Sequence, residues 1–151
     1  MAESRFEYPL LSFRALHGWL DISVPKLVLE SEAEIKPNVS VYVQWLGEAP
    51  PGLDRIVTDQ VAELKRDEAL GRFELVAVDP VTVDGCNGQM VRYRFVPPWG
   101  AKTGEPVFEC LQVFVIVDQA GFTITFTALA SDFDGSAPKF DELLGSLRFK
   151  R

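Results

Sequence analysis

The chain has 151 residues, 47% hydrophobic and 25% charged, with a formal net charge of −7. That length and apolar content suit one globular domain with its own core and exclude a wholly disordered chain. The acidic surplus argues against a phosphate-binding face, and the densest basic positions, Lys65, Arg66, Arg148, Lys150 and Arg151, read as solvated.

The first residues carry Glu3 and Glu7 and no apolar run of the length a secretory signal needs. A longer precursor with a cleaved leader is compatible with the same residues. No stretch approaches the roughly 18 apolar residues of a transmembrane helix. Two cysteines, Cys86 and Cys110, make neither a disulfide framework nor a metal site. Cys110 alternates with Phe108 and Phe114 and reads as a small core residue. These features point to the cytoplasm, with no metal and no cofactor.

In chain order, residues 1–5 read as loose. "WLDISVPKLVLE", from Trp19, is apolar and β-branched but interrupted by Pro25, which makes it an edge or bent strand. "NVSVYVQWL" alternates cleanly, with Val39, Val41, Val43 and Trp45 against Ser40, Tyr42, Gln44 and Leu46. "GEAPPG" punctuates the chain before the period changes. From Leu53 to Leu70, the residues Leu53, Ile56, Val57, Gln60, Val61 and Leu64 share one helical face, bounded by Pro51 and Gly71.

After the helix the chain reads as β: a strand near Phe73–Val78, a short segment ending at the Asp84-Gly85 turn, and the alternating "QMVRYRFV". "PPWGAKTGEP" is a long hairpin loop before "FECLQVFVIV", and "DQAG" returns the chain into "FTITFTAL". A loop at Asp132–Ala137, a short helix from Pro138 to about Leu144 and a final "LRF" strand close the sequence. The fold class is therefore α+β: a mainly antiparallel sheet packed with one long and one short helix.

Catalytic patterns are scarce. His17 is the lone histidine, beside a turn glycine, and reads as a surface or satisfied residue. "DGCNG" places Cys86 between turn-forming pairs with no second histidine to activate it. "GEAPPG" and "GAKTG" lack the strand–helix context of a phosphate loop, and "DFDG" lacks the later ligands of a calcium loop. A binding module fits this scarcity better than an enzyme.

Two glutamines stand out. Alternation puts Gln112 on the face of Phe108, Cys110, Phe114 and Ile116, and helical spacing puts Gln60 among Ile56, Val57, Val61 and Leu64. A buried amide without partners costs on the order of 1–3 kcal/mol. Either the two are satisfied within the core, or they line an apolar groove and serve an incoming ligand. The other strand face, Val107, Leu111, Val113, Val115 and Val117, is apolar apart from Glu109. Two helices, one of them short, would leave part of this surface open to a partner.

The pattern of Trp19 in an early strand, a helix carrying "DQVAELK", a turn before "GQMVRYRF", then "LQVFVI", "ITFTALA", a short helix and "SLRF" resembles the DcrB-related domain of the Mog1/PsbP-like fold. Within that group it looks most like the Eag chaperones of type VI secretion effectors. The resemblance runs from about Trp19 to Phe149 and implies a single domain over residues 1–151. It implies a non-enzymatic, cytoplasmic homodimer that shields N-terminal transmembrane segments of effectors carrying a PAAR domain. It also implies a client-binding groove containing Gln60 and Gln112, with Val24, Val41 and Ile22 from the early strands. Lys26 and the "PPWGAKTGEP" loop depart from the family pattern. The alternative is a periplasmic or envelope-associated DcrB/PsbP-like module binding lipid or protein, and an enzyme working through His17 or Cys86 is a third class.

Overall fold

A computed structural model describes residues 36–98 and 106–150, together with the backbone of four earlier strands within residues 3–29. Those strands are β1 (Glu3–Tyr8), β2 (Leu11–Leu16), β3 (Trp19–Ser23) and β4 (Lys26–Leu29). Then come β5 (Asn38–Trp45), α1 (Leu53–Arg66), a 3-10 turn (Glu68–Leu70), β6 (Arg72–Val83) and β7 (Cys86–Val96). The chain continues with β8 (Phe108–Val117), β9 (Ala120–Leu129), α2 (Ala130–Ser146) and β10 (Arg148–Phe149). Among the described residues, one sheet has seven strands in the order β3-β4-β5-β9-β8-β7-β6, all paired antiparallel, and a second has the order β1-β2-β10.

Strand β8 sits inside the large sheet, and its residues are buried almost without interruption from Phe108 to Val117. Its two faces go to two cores. Leu111, Val113, Val115 and Val117 pack with Phe126, Phe133, Phe140, Leu143 and Leu147, under α2. Cys110 and Phe114 pack with Val91, Tyr93, Val57 and Leu64, under α1. The tight β6–β7 hairpin turns on Asp84 and Gly85, both at positive φ, as the Asp-Gly pair predicts.

Several boundaries differ from the sequence reading. Glu3–Arg5 fall within β1, whose main chain pairs with β2. "WLDISVPKLVLE" makes two antiparallel strands, β3 and β4, rather than one bent strand. β6 is a single 12-residue strand containing Pro80. It is an outer strand of the sheet, where a proline removes no hydrogen bond to a neighbour if its nitrogen faces outward. α1 stops at Arg66, short of Leu70. Gly71 follows at φ 62, and a Cβ there would meet the Val96 carbonyl oxygen, so no other residue fits.

The largest correction concerns α2. The helix has 17 residues and begins at Ala130, so Asp132–Ala137 is helical and not a loop. Gly135 and Pro138 look like breakers, yet both are exposed to solvent. The carbonyl that Pro138 leaves without a helical donor belongs to Asp134, also exposed, so water can satisfy it. Phe133, Phe140, Leu143 and Leu147 carry the buried stripe past them. The longer helix covers the β8 face that the sequence reading left open.

On that covered face Glu109 is 2% exposed. It accepts hydrogen bonds from Arg92 Nε at 2.7 Å and Arg94 Nε at 2.5 Å. The Arg92 guanidinium also lies 4.5 Å from the centre of the Phe133 ring. Hydrogen bonding to Glu109 pushes the Arg94 pKa further up. The two arginines are about one-third exposed, at 32% and 39% of their side chains, so solvent screens part of the attraction. Glu109→Ala removes the shared acceptor of two partly exposed arginines, and it is expected to lower unfolding free energy by about 2 kcal/mol in urea titrations. A loss below about 0.5 kcal/mol would place the cluster among ordinary surface ion pairs.

Candidate functional site

The register fixes which groups share the α1 face of the sheet. Across β7, β8 and β9, Val91 stands beside Gln112, which stands beside Thr125, and Tyr93, Cys110 and Thr127 form the next row. Thr125 in turn pairs with Ser40 of β5, and Thr123 with Tyr42. Because successive side chains alternate, Thr123, Thr125, Thr127, Asn38, Ser40, Tyr42 and Gln112 all point to the α1 side.

α1 packs on β7 and β8. One flank of the helix, with Asp54, Val61 and Lys65, borders a cavity of about 480 Å3 whose far wall is Leu75 and Val78 of β6. Gln89 Nε2 donates to Asp54 Oδ1 at 2.6 Å at this flank. Helical phase puts Ile56 and Gln60 on the opposite flank, which faces β8 and β9. Gln60 is partly buried there. Beyond it the threonine rows are half-buried and Tyr42 is 63% exposed. The helix thus roofs half of this face and leaves a polar shelf beside it.

Gln112 lies at the boundary, 8% exposed. Its Nε2 donates to Thr125 Oγ1 at 3.3 Å, which is long for such a bond. Its Oε1 is buried and has no hydrogen-bond donor among the described residues. This is neither of the internal arrangements that would satisfy the amide: the two glutamines are not bonded to each other, and the main chain does not satisfy the carbonyl.

The other expected groove residues fall elsewhere. Val41 pairs with Ile124, which pairs with Val113, so it belongs to the α2 face and packs against that core. The pleat decides this: Ser40 and Tyr42, not Val41, share the Gln112 face. Ile22 lies in β3 at an irregularity of pairing between Asp21 and Ser23. Four strand spacings, about 19 Å, separate β3 from β8. Val24 lies outside the described residues, as do His17 and most of the "PPWGAKTGEP" loop.

Beside Gln112, Cys110 Sγ lies 3.4 Å from Thr127 Oγ1. Burial pushes the Cys110 thiol up, and burial followed by the nearby Cys110 pushes the Tyr93 phenol well up. Neither group is prepared for nucleophilic or acid–base work at neutral pH. Among the described residues, no three His, Cys, Asp or Glu side chains cluster to hold a metal ion. Sequence reasoning missed the Glu109–Arg92–Arg94 cluster. The signal for it was two arginines two residues apart on β7, facing the one acid of β8.

No family model matches the chain, and no match was found among curated proteins. Solved structures do match its fold. The cyanobacterial PsbP protein of Synechocystis sp. PCC 6803 is 16% identical, with a TM-score of 0.69 over 98% of this chain and 92% of that one. LpqN of Mycobacterium tuberculosis, described as involved in cell envelope biogenesis, is 12% identical, with a TM-score of 0.69 over 99% and 91%. The Ran-binding protein Mog1p of Saccharomyces cerevisiae is 11% identical, with a TM-score of 0.63 over 98% and 95%.

Gln112→Met removes the orphaned carbonyl and leaves the half-buried Thr125 hydroxyl to water. It is expected to raise stability by about 1 kcal/mol, read from urea midpoints; a comparable loss would mean that the amide is fully satisfied. Cys110 and Tyr93 have folded pKa values above their unfolded ones, so their contribution is complete below the unfolded values and falls as pH rises. Unfolding free energy should decline from about pH 8.5, and more steeply above about pH 10. Tyr93→Phe should flatten the upper part of that decline. The alternating sheet faces and two helices give this chain an α+β architecture of the Mog1/PsbP-like fold, the likeness of fold that the comparisons show.

Proposed function

We propose that this domain is a non-enzymatic chaperone or adaptor that shields the N-terminal transmembrane segments of a PAAR-containing type VI secretion effector. The observation that carries the reading is Gln112, a nine-tenths-buried amide whose carbonyl oxygen has no donor among the described residues, at the edge of the α1 roof. An apolar segment kept out of water gains about 25 cal/mol for each Å2 it buries. Membrane helices also carry small and hydroxyl-bearing residues that hydrogen-bond across helix contacts. Gln112 offers such a hydroxyl an acceptor, and its loosely held amide can turn about its broad terminal torsion to do so. Gln60, from the facing flank of α1, offers donor and acceptor together. Neither glutamine has a charge to desolvate.

On this reading the client lies against the α1 flank and the threonine shelf of β9 and β5. A helix is only about 10–12 Å across. One lying along the strands would touch Gln112 and the threonines but not β3; a client reaching Ile22 or Val24 as well must cross the strands. Val41 takes no part, because it faces the other core. The fold resemblance supports the reading through the general role of a binding module; among the named neighbours, Mog1p is described as Ran-binding. Among the described residues, no helix is long and apolar enough to cross a membrane. The chain would act in the cytoplasm, as a homodimer, with its acidic exterior keeping the loaded complex dispersed.

Co-expression with a neighbouring effector's hydrophobic N-terminus tests the proposal. Wild type should co-purify with that segment, and the double variant Gln60→Ala/Gln112→Ala should lose it at least tenfold while its circular dichroism stays native. Full retention of the segment by a natively folded double variant would remove the glutamines from the client site.

A further inference from the structure

From the trough between α1 and β6 we infer a binding site for the free C-terminus of a partner chain: its last residues add antiparallel to the outer edge of β6, and their terminal carboxylate meets Lys65. Among the described residues, β6 is the last strand on its side, and no other strand pairs with its outer edge. Such an edge presents unpaired backbone donors and acceptors, which an extended peptide can take up as an added strand. The side chains along it are apolar: Leu75, Val76 and Val78 are 37%, 37% and 44% exposed. Leu75 and Val78 also form the far wall of the cavity of about 480 Å3 beside α1. An added strand therefore finds a pocket for its side chains as well as a backbone to pair with.

The charges of the trough set the direction of the peptide. Asp54, Thr58, Val61 and Lys65 follow one another along the α1 flank, with Asp54 and Lys65 about 16 Å apart by helical rise. Gln89 is bonded to Asp54 and pairs with Pro80, so the start of α1 lies at the Pro80 end of β6. The end of α1 lies at the other, because residues 67–71 alone join it to β6. A strand antiparallel to β6 therefore runs from the Asp54 end to the Lys65 end and finishes beside the cation. Lys65 is exposed and makes no ion pair among the described residues. Its ammonium can give a carboxylate charge-assisted hydrogen bonds. Asp67 and Glu68, which follow it, do not line the cavity. A parallel strand would finish beside Asp54, where its carboxylate would meet a like charge.

The irregularity at Val76 sets which peptide positions are read. Leu75 pairs with Tyr93, Ala77 with Arg92 and Val78 with Val91, so Val76 is an inserted residue. Leu75 and Val78 thus oppose side chains only two positions apart on β7. An added strand meets the same spacing from outside: its last residue falls beside Leu75 and its third from last beside Val78, both on the α1 face. Apolar side chains at these two positions close over the trough. The fourth from last falls beside Asp79, which is exposed and shares the α2 face with Glu74, so a basic residue suits it. Pro80 comes next and has no N–H for a further pair, so recognition ends after about four residues. The site is independent of the Gln112 shelf on the far flank of α1.

The test uses the full chain without any effector segment, so its result does not depend on the chaperone reading. The probe is the peptide GSGKVTV, labelled at its N-terminus and carrying a free C-terminal carboxylate, titrated by fluorescence anisotropy. It should bind saturably, and the same peptide with a C-terminal amide should bind at least tenfold more weakly. Lys65→Gln should weaken the carboxylate peptide at least tenfold and should not weaken the amide peptide further. Lys36→Gln, at an exposed lysine outside the trough, should change neither. Val78→Glu, on the cavity wall, should weaken both peptides, and Gln112→Met should weaken neither. Failure of the wild type to bind the carboxylate peptide saturably at millimolar concentration would overturn the inference. So would equal binding of carboxylate and amide, or a natively folded Lys65→Gln variant that keeps wild-type affinity.

Discussion

A strand that is dry on both faces organises this molecule. β8 buries nearly every side chain from Phe108 to Val117, so both sides of the sheet need a cover at that point. α2 provides one, carrying Phe133, Phe140 and Leu143 onto Leu111, Val113 and Val115, with Leu147 just past its end in the same core. α1 provides the other, through Val57 and Leu64 over Val91, Tyr93, Cys110 and Phe114. The helices are similar in length, at 17 and 14 residues, yet a single helix about 10–12 Å wide cannot roof a sheet this broad. On the α2 face the second sheet lies alongside, with Phe149 of β10 in the same core. On the α1 face the threonines of β9 and the polar side of β5 are left beyond the roof.

That asymmetry explains where polar groups were placed. Glu109 is buried under α2 and is held by two arginines, an arrangement complete in itself. Gln112 is buried on the opposite face and is incomplete, with one amide hydrogen bond and one oxygen that no described residue satisfies. A closed core normally rejects such a group, since an orphaned buried acceptor costs stability and an apolar residue of the same size does not. Its presence at the margin of the roof, next to a half-buried hydroxyl row, is the physical basis for reading that margin as a contact surface.

The two candidate surfaces of this domain are divided by α1. One flank, with Gln60 and Ile56, overlooks Gln112 and the threonine rows. The other, with Val61 and Lys65, overlooks Leu75 and Val78 at the sheet edge. Their chemistry differs accordingly. The first offers amides and hydroxyls to a partner that needs hydrogen bonds within an apolar contact. The second offers two apolar side chains beside the outer strand of the sheet.

Local sequence was enough for the elements with an unbroken period. Alternation in "NVSVYVQW" and "FTITFTAL" and the 3.6-residue repeat around Val57 and Leu64 determined β5, β9 and α1, and Asp84-Gly85 determined its hairpin turn. It also determined that Gln112 shares a face with Cys110 and Phe114. It did not determine α2, because Gly135 and Pro138 are helix breakers by propensity and only their place on the solvent side makes them tolerable. Nor did it determine that Val41 and Gln112 lie on opposite faces. Each strand's alternation is readable alone, but its phase relative to another strand is set by the hydrogen-bond register between them. The pairing of Val41 with Ile124 and of Gln112 with Thr125 exists only once the chain has folded, and so does the orphaned oxygen on which the candidate site rests.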